Sequence, residues 1–421
     1  MTAQLAGPQA RDDAAARRDD PPRGPRPVRS PWGHRLLPAL RRATPALAGY
    51  AAVRALGVLA VLCWYHKHGR SGLHQLSSMW DAWWYQQIAQ HGYAGTPLVP
   101  GPKGFYQAYA FFPAYPMTIR VLGWLLPVSL GLVALLVAWV SSLVAAWGTY
   151  AIGARLYGHR AGVIATVLWG VIPYALVESL AYSEPMFTAF AVWAVYAAIT
   201  RRWIWAGGLS LLAGLTRPTA VAVAGAVCLG ALWALVSQWR RDRGAELPDA
   251  ERVAWWRPVL GALIAPVGVV SFIAWVGLVK GNADAYFKIE DAWASHFDAG
   301  ASTVRAFAHM LTYSTTLWLA EVVVGLSLGA AVVLFLLSVL QRQPLPLLAF
   351  SGLTLVIALG DAAYFNSRAR FLLPAVGLLF PLAGHLARVR TRGAVAIVLG
   401  SAAVASALYG GYLAFVYTNS P

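Results

Sequence analysis

Asp81 is the single acid in a long aromatic-rich stretch that opens Ser78-Met79-Trp80-Asp81-Ala82-Trp83-Trp84-Tyr85 and closes Ala110-Phe111-Phe112-Pro113-Ala114-Tyr115-Pro116. A carboxylate beside flat rings can hold a sugar and take up a proton, which is the work of a general base. The spacing Ser78-x-x-Asp81 also fits a capping box, with the acid in a first helical turn where the dipole favours it. Both roles can coexist. On a helix starting near Met79, Trp80, Trp84 and Ile88 share one stripe, with Asp81 and Tyr85 one step round. A second group of charges lies within or beside apolar runs: Glu178, Glu184, Glu321, Asp361 and Arg217. A charge in hydrocarbon costs about 2.5–3.5 kcal/mol or more, so each needs a partner or a task. Arg368 and Arg370 precede the apolar run Phe371-Leu372-Leu373-Pro374. Arginine grips phosphate through a planar fork, so Arg217, Arg368 and Arg370 together suggest a site for a lipid phosphate. The plainer reading pairs them with Glu184, Asp361 or bilayer phosphates.

Metal chemistry is not indicated. His66, His68, His74 and His91 fall in the same loop, but without the helical spacing and nearby carboxylate of a zinc site, and no Asp-x-Asp pair follows. Glu290-Asp291 reads as a solvated face. Cys63 and Cys228 lie inside apolar runs and read as packing residues.

The elements that must position these groups are membrane helices. The chain has 421 residues, of which 58% are hydrophobic and 12% charged, a balance that excludes a soluble domain of this length. The net charge of +16 comes from arginines in an N-terminal tail and in short clusters between apolar runs, a topology signal that excludes a nucleic-acid surface. Residues 1–44 lack an apolar period and read as a disordered cytoplasmic tail with no signal peptide. Residues 45–421 read as one polytopic domain. Apolar runs begin at 46–65, with Arg54 placed to snorkel or meet a lipid phosphate. Others cover 130–152, 161–181, 185–200, 258–280, 317–340, 346–364, 370–387 and 394–417. The run from Trp203 to Gln238 is too long for one crossing and breaks at Thr216-Arg217-Pro218, where proline removes a backbone donor. The expectation is an all-α integral membrane protein with about eleven crossings, N-terminus cytoplasmic. A large first outer loop, 66–129, carries amphipathic helices, and a second outer loop covers 281–316.

Trp80-Asp81 followed by Tyr85, Ile88-Ala89, Gly92-Tyr93 and Ala110-Phe111-Phe112-Pro113 with Pro116 resembles the signature of the PIG-V family, mannosyltransferases of glycosylphosphatidylinositol assembly. Pro173 with Tyr182-Ser183-Glu184 is similar to that family's second block, and Ala213-Gly214-Leu215-Thr216-Arg217 to its third. The resemblance covers roughly residues 46 to 240. It implies a GT-C multi-span bundle, an active site facing away from the cytoplasm, a catalytic acid in the first outer loop and a polyprenyl-phosphate mannose donor. Ala82-Trp83-Trp84 after the acid and Pro218 after the arginine depart from the pattern and leave the acceptor open.

The expected reaction is inverting transfer of mannose from a polyprenyl phosphate to a hydroxyl of a glycolipid, glycan or protein. Asp81 is the base, Arg217, Arg368 and Arg370 bind the donor phosphate, and Trp80, Trp84, Tyr85, His91, Tyr182 and Glu184 surround the substrate. The lipid-linked sugar is a co-substrate, and no cofactor is expected. The alternatives are a GT-C transferase using another polyprenyl-linked sugar, such as arabinose or glucose, and a polytopic transporter or lipid flippase. Membrane lipids are partners, nucleic acid is not, and nothing in the sequence bears on oligomeric state.

Overall fold

The computed structural model describes residues 33–101, 103–244, 253–312, 318–362, 364–417 and 420. The chain divides into a short unit, residues 1–42, and a large one, residues 43–421, which holds the bundle and the site. The expected tail falls outside the described residues as far as 32; from Gly33 the chain is helical, through Lys67. Leu, Ala and Arg are good helix formers, and they fill this stretch.

Six helices among the described residues are long and apolar enough to cross a membrane: Leu37–Lys67, Leu130–Tyr157, Pro218–Asp242, Trp256–Lys280, Leu319–Leu340 and Arg392–Phe415. The protein is a multi-pass membrane protein. A further apolar pair, Phe365–Phe371 with Val376–Arg388, is bent by 79° and forms either a broken span or a re-entrant loop. The expected eleven included Glu184–Ile199, Trp203–Gly214 and Leu345–Gly360, which are apolar helices of fewer than eighteen residues. It also included 161–181, where the helix His159–Val171 stops before Pro173 and a 3₁₀ turn, Ala175–Ser179, follows. Proline lacks the donor that the next turn requires. These short and broken helices are the ones whose ends carry the polar residues: Glu184 starts one, Arg217 follows another, Asp361 ends a third and Arg370 lies beside the bend. Interrupted backbone at membrane depth is tolerated where protein or a cavity surrounds it.

The expected break at Thr216-Arg217-Pro218 is present, between Trp203–Gly214 and Val221–Asp242. Trp203–Gly214 packs against Trp256–Ile264 and Val267–Lys280 backbone to backbone. A Cβ on Gly261 would meet the Trp203 carbonyl oxygen, and one on Gly268 the Leu211 carbonyl oxygen. Small residues allow such approach where lipid supplies no hydrophobic drive between helices.

Arg54 does not snorkel. It is buried, donating to the Gly170 carbonyl at 3.1 Å and to Ser179 Oγ at 2.7 Å from Nη2. The helix that stops at Val171 leaves carbonyls without intrahelical partners, and Arg54 takes one of them. Beside it Tyr50 OH donates to Glu178 Oε2 at 2.6 Å, its ring stacked on Trp169.

Both expected outer loops hold helices among the described residues. The first holds Gly72–Ser78, Asp81–Gly95, an antiparallel hairpin (Val99–Gly101 with Gly104–Tyr106, Val99 opposite Tyr106) and Ala114–Leu125. The second holds Ala285–Ala292 and Ala301–Thr312. Tyr106 stacks on Trp293 with ring centroids 4.1 Å apart and bonds Tyr364 through the two hydroxyls at 3.2 Å, joining the loops.

Candidate functional site

Asp81 is the first residue of the Asp81–Gly95 helix, and Trp80 before it adopts φ 51°, ψ −118°. For a bulky residue this left-handed backbone costs of order 1–3 kcal/mol and persists only when surroundings hold it. The holding is visible: the Trp80 ring packs on the cluster of Tyr85 and Tyr182, and the Asp81 N–H donates to Tyr182 OH at 3.3 Å. The Ser78-x-x-Asp81 capping box does not form, because the helix begins at Asp81 with Trp80 at its N-cap, and the Asp81 N–H goes to Tyr182 OH rather than to Ser78. The Asp81 carboxylate is therefore directed elsewhere.

It meets Arg370, with Oδ2 2.8 Å from Nη1. Arg370 Nη1 is also 3.8 Å from Glu184 Oε1, and Glu184 Oε2 is 2.8 Å from Arg217 Nη1. Arg217 donates to Ser183 Oγ at 3.1 Å, and that hydroxyl shares a 2.6 Å hydrogen bond with Tyr85 OH. The result is a row of alternating charge, Asp81, Arg370, Glu184, Arg217, contributed by four separate parts of the chain. Glu184 is 3% exposed, whereas Asp81, Arg370 and Arg217 are 14%, 13% and 11% exposed. The inner glutamate holds both arginines while the other three members reach a cavity of about 340 Å³. That cavity also has Tyr85, Phe111, Trp293, Phe297 and Phe371 in its walls.

Several expected residues lie elsewhere. Arg368 is buried away from the cavity, donating to Thr303 Oγ1 and, at 2.6 Å, to Ser302 Oγ, with its guanidinium over Phe365. Two residues apart on a helical turn do not face the same way, so Arg370 alone of this pair enters the site. His91 is exposed, one residue before Gly92, whose φ of +73° interrupts the helix. Trp84 stands behind the wall, stacked on Phe111 at 5.5 Å and edge-on to Trp293 at 5.6 Å. Tyr182 is fully buried beneath Asp81 and within 5.9 Å of the Arg370 guanidinium.

Sequence reasoning misses the far wall. Glu290, expected on a solvated face, lines the cavity and accepts from Tyr286 OH at 2.9 Å. Burial pushes its carboxyl up to about 7, reinforced by Asp361 and Asp81 and opposed by the Tyr286 hydrogen bond and by Arg217. A signal is nevertheless present: Tyr286, Ile289, Glu290 and Trp293 follow the i, i+3, i+4, i+7 spacing of one helical face. Asp361, His296 and Tyr364 complete this wall. Here the second loop is tied to the end of Leu345–Gly360 by the Asp298 N–H on the Gly360 carbonyl (2.9 Å) and the Ala362 N–H on the His296 carbonyl (2.7 Å). No group of three metal-ligating side chains comes together among the described residues.

No protein-family model matches the chain, and no curated protein sequence matches it significantly. Solved structures do. ArnT from Cupriavidus metallidurans, bound to undecaprenyl phosphate, superposes with a TM-score of 0.53 at 15% identity, covering 86% of this chain and 64% of that one. The chain thus spans about two thirds of that protein's length. The archaeal oligosaccharyltransferase AglB from Archaeoglobus fulgidus, in complex with an inhibitory peptide and a dolichol-phosphate, gives 0.47 at 15% identity, covering 88% and 56%. The likeness to ArnT shows the fold: this is a GT-C-type membrane bundle.

Proposed function

We propose that this protein is an inverting glycosyltransferase that moves one sugar from a polyprenyl phosphate to an acceptor hydroxyl on the extracytoplasmic face, with mannose the sugar implied by the PIG-V-like blocks. The supporting observation is that Asp81, Arg370 and Arg217 meet on one cavity with Glu184 behind them. Undecaprenyl phosphate in the structure of ArnT, which has a similar fold, agrees with a lipid-phosphate donor.

The acceptor oxygen attacks the anomeric carbon from the face opposite the phosphate, and the Asp81 carboxylate takes the hydroxyl proton. The bond from that carbon to the phosphate oxygen breaks, and the phosphate departs as an anion. One acid suffices because this leaving group is already stable, whereas a glycosidase needs a second carboxyl to protonate an alkoxide. Arg217 and Arg370 receive the charge that grows on the leaving phosphate. Arg370 is the counter-ion of Asp81. A phosphate brought between the arginines competes for Arg370 and loosens its hold on the carboxylate, so donor binding readies the base. Arg368 has no part in this scheme.

The test is transfer by the purified protein from polyprenyl phosphates carrying radiolabelled mannose, glucose or arabinose to membrane lipid extract. Mannose transfer supports the reading in full, and transfer from another donor moves it to a different sugar. Transfer from none of them, or full activity in Asp81→Asn, overturns it.

A further inference from the structure

We infer that Glu290 and Trp293 form the sugar subsite of the candidate cavity, the Glu290 carboxyl hydrogen-bonding a hydroxyl of the transferred sugar and so setting which sugar is accepted; this rests on the glycosyltransferase reading above.

The chemistry at the opposite wall fixes where the sugar lies. A phosphate held by Arg217 and Arg370 and an incoming oxygen served by Asp81 leave the anomeric carbon between them. The sugar ring must then occupy the remainder of the same cavity, and the second outer loop bounds that remainder with Glu290 and Trp293. At about 340 Å³ the cavity is at the small end of ligand pockets, so a single sugar within it meets both walls.

Glu290 is held differently from the acids of the charge row. Asp81 and Glu184 are bound to arginines, at 2.8 Å in each case. Glu290 is fixed by a neutral donor, Tyr286 OH on Oε1 at 2.9 Å, one helical turn before it. Tyr286 is itself buried, its ring edge-on to Phe112 with centroids 5.8 Å apart, so the carboxyl is presented at a set angle. That hydrogen bond occupies one of roughly four acceptor positions of a carboxylate, and the group that retains the others lines the cavity. Burial pushes this carboxyl up to about 7. A sugar hydroxyl offsets the lost hydration, as donor to the ionised form or acceptor from the protonated one.

Trp293, at the end of the same helix, supplies a flat apolar surface on which the C–H face of a pyranose stacks. Its indole is stacked on Tyr106 at 4.1 Å and edge-on to Phe111 at 5.6 Å, which holds it in place. A carboxyl beside an indole suits the polar and apolar faces of one sugar. A lipid tail would have no use for the carboxyl, and a phosphate would be repelled by it.

The test uses the purified full-length protein, polyprenyl phosphate carrying mannose, and a series of donors each lacking a different one of the mannose hydroxyls. Values of kcat/KM are measured for wild type, Glu290→Leu and Tyr286→Phe. The expected result is that wild type rejects one deoxy donor by roughly tenfold or more, and that Glu290→Leu loses this discrimination while keeping its preferences at the other positions. Tyr286→Phe, which frees the carboxyl to turn, should narrow the same ratio by less. Equal loss of transfer from every donor in Glu290→Leu shows a structural acid and overturns the inference, as does a wild type indifferent to all the missing hydroxyls. A wild type that transfers from no sugar overturns the glycosyltransferase reading itself, and transfer from another sugar moves the deoxy series to that sugar with the same expectation. If Glu290→Leu does not fold, Glu290→Gln should show the change at the same hydroxyl with a smaller step.

Discussion

Two clusters of buried charge lie five residues apart along the same piece of chain, one around Glu178-Ser179 and one around Ser183-Glu184, and they are built to opposite ends. In the first, Arg54 donates through Nε, Nη1 and Nη2 to Ser179 and Gly170, and Tyr50 supplies Glu178. The donors are spent on the protein itself. In the second, the ion pairs of Arg217 and Arg370 run through Nη1, and both side chains reach a cavity. A buried charge is thus no mark of a site by itself; donor capacity left facing open volume is. The first cluster mends a broken helix, and the second lines open volume.

The contrast is sharpest at Asp81→Asn, which should lower transfer by at least 10²–10⁴-fold, the range of general-base catalysis, with the melting temperature little changed. Arg217→Gln should follow at about 10²–10³ in kcat, as for the loss of one donor to a developing anion, read by steady-state transfer assays. Arg54→Gln should reverse the pattern. Leaving the Gly170 carbonyl without its partner costs about 1–3 kcal/mol, seen as a lower melting temperature, while activity per folded molecule is retained. Equal loss of activity in Arg54→Gln and Arg217→Gln would erase the distinction.

Glu290 gives a smaller, pH-dependent effect. Its carboxyl, raised to about 7 from the usual 4.5, binds its proton more tightly folded than unfolded. Its contribution is therefore present at low pH and is lost as pH rises through about 7. Glu290→Gln keeps a neutral side chain facing Tyr286, Asp361, Asp81 and Arg217, so the decline in melting temperature that this carboxyl causes between about pH 4.5 and 7 should flatten in this variant. The smallest effect is that of His91→Ala, on the exposed end of its helix, which should leave transfer within twofold of wild type in the same assay.

The features legible in the sequence have local causes. Pro218 forces the break that presents Arg217, and Asp81 among tryptophans is conspicuous by composition alone. The membrane bundle follows from apolar run lengths, although the short helices show that a run of twenty apolar residues need not be one continuous crossing. Arg54 escapes such a reading because its partner, a carbonyl left over at Gly170, exists only once another helix has stopped. Arg368 and Arg370 cannot be told apart without knowing which side of their short helix faces Thr303 and which faces Asp81. Glu290 is hidden by its neighbour: Asp291 is exposed, and adjacent acids suggest a common fate.

Where Trp203–Gly214 meets its neighbours, the contact is main chain on main chain, through Gly261 and Gly268. Arg217 consequently follows a helix whose neighbours meet it without intervening side chains. Lipid-facing side chains along those helices can be exchanged or change rotamer without shifting it, and a single added methyl at Gly268 would move it more than any of them.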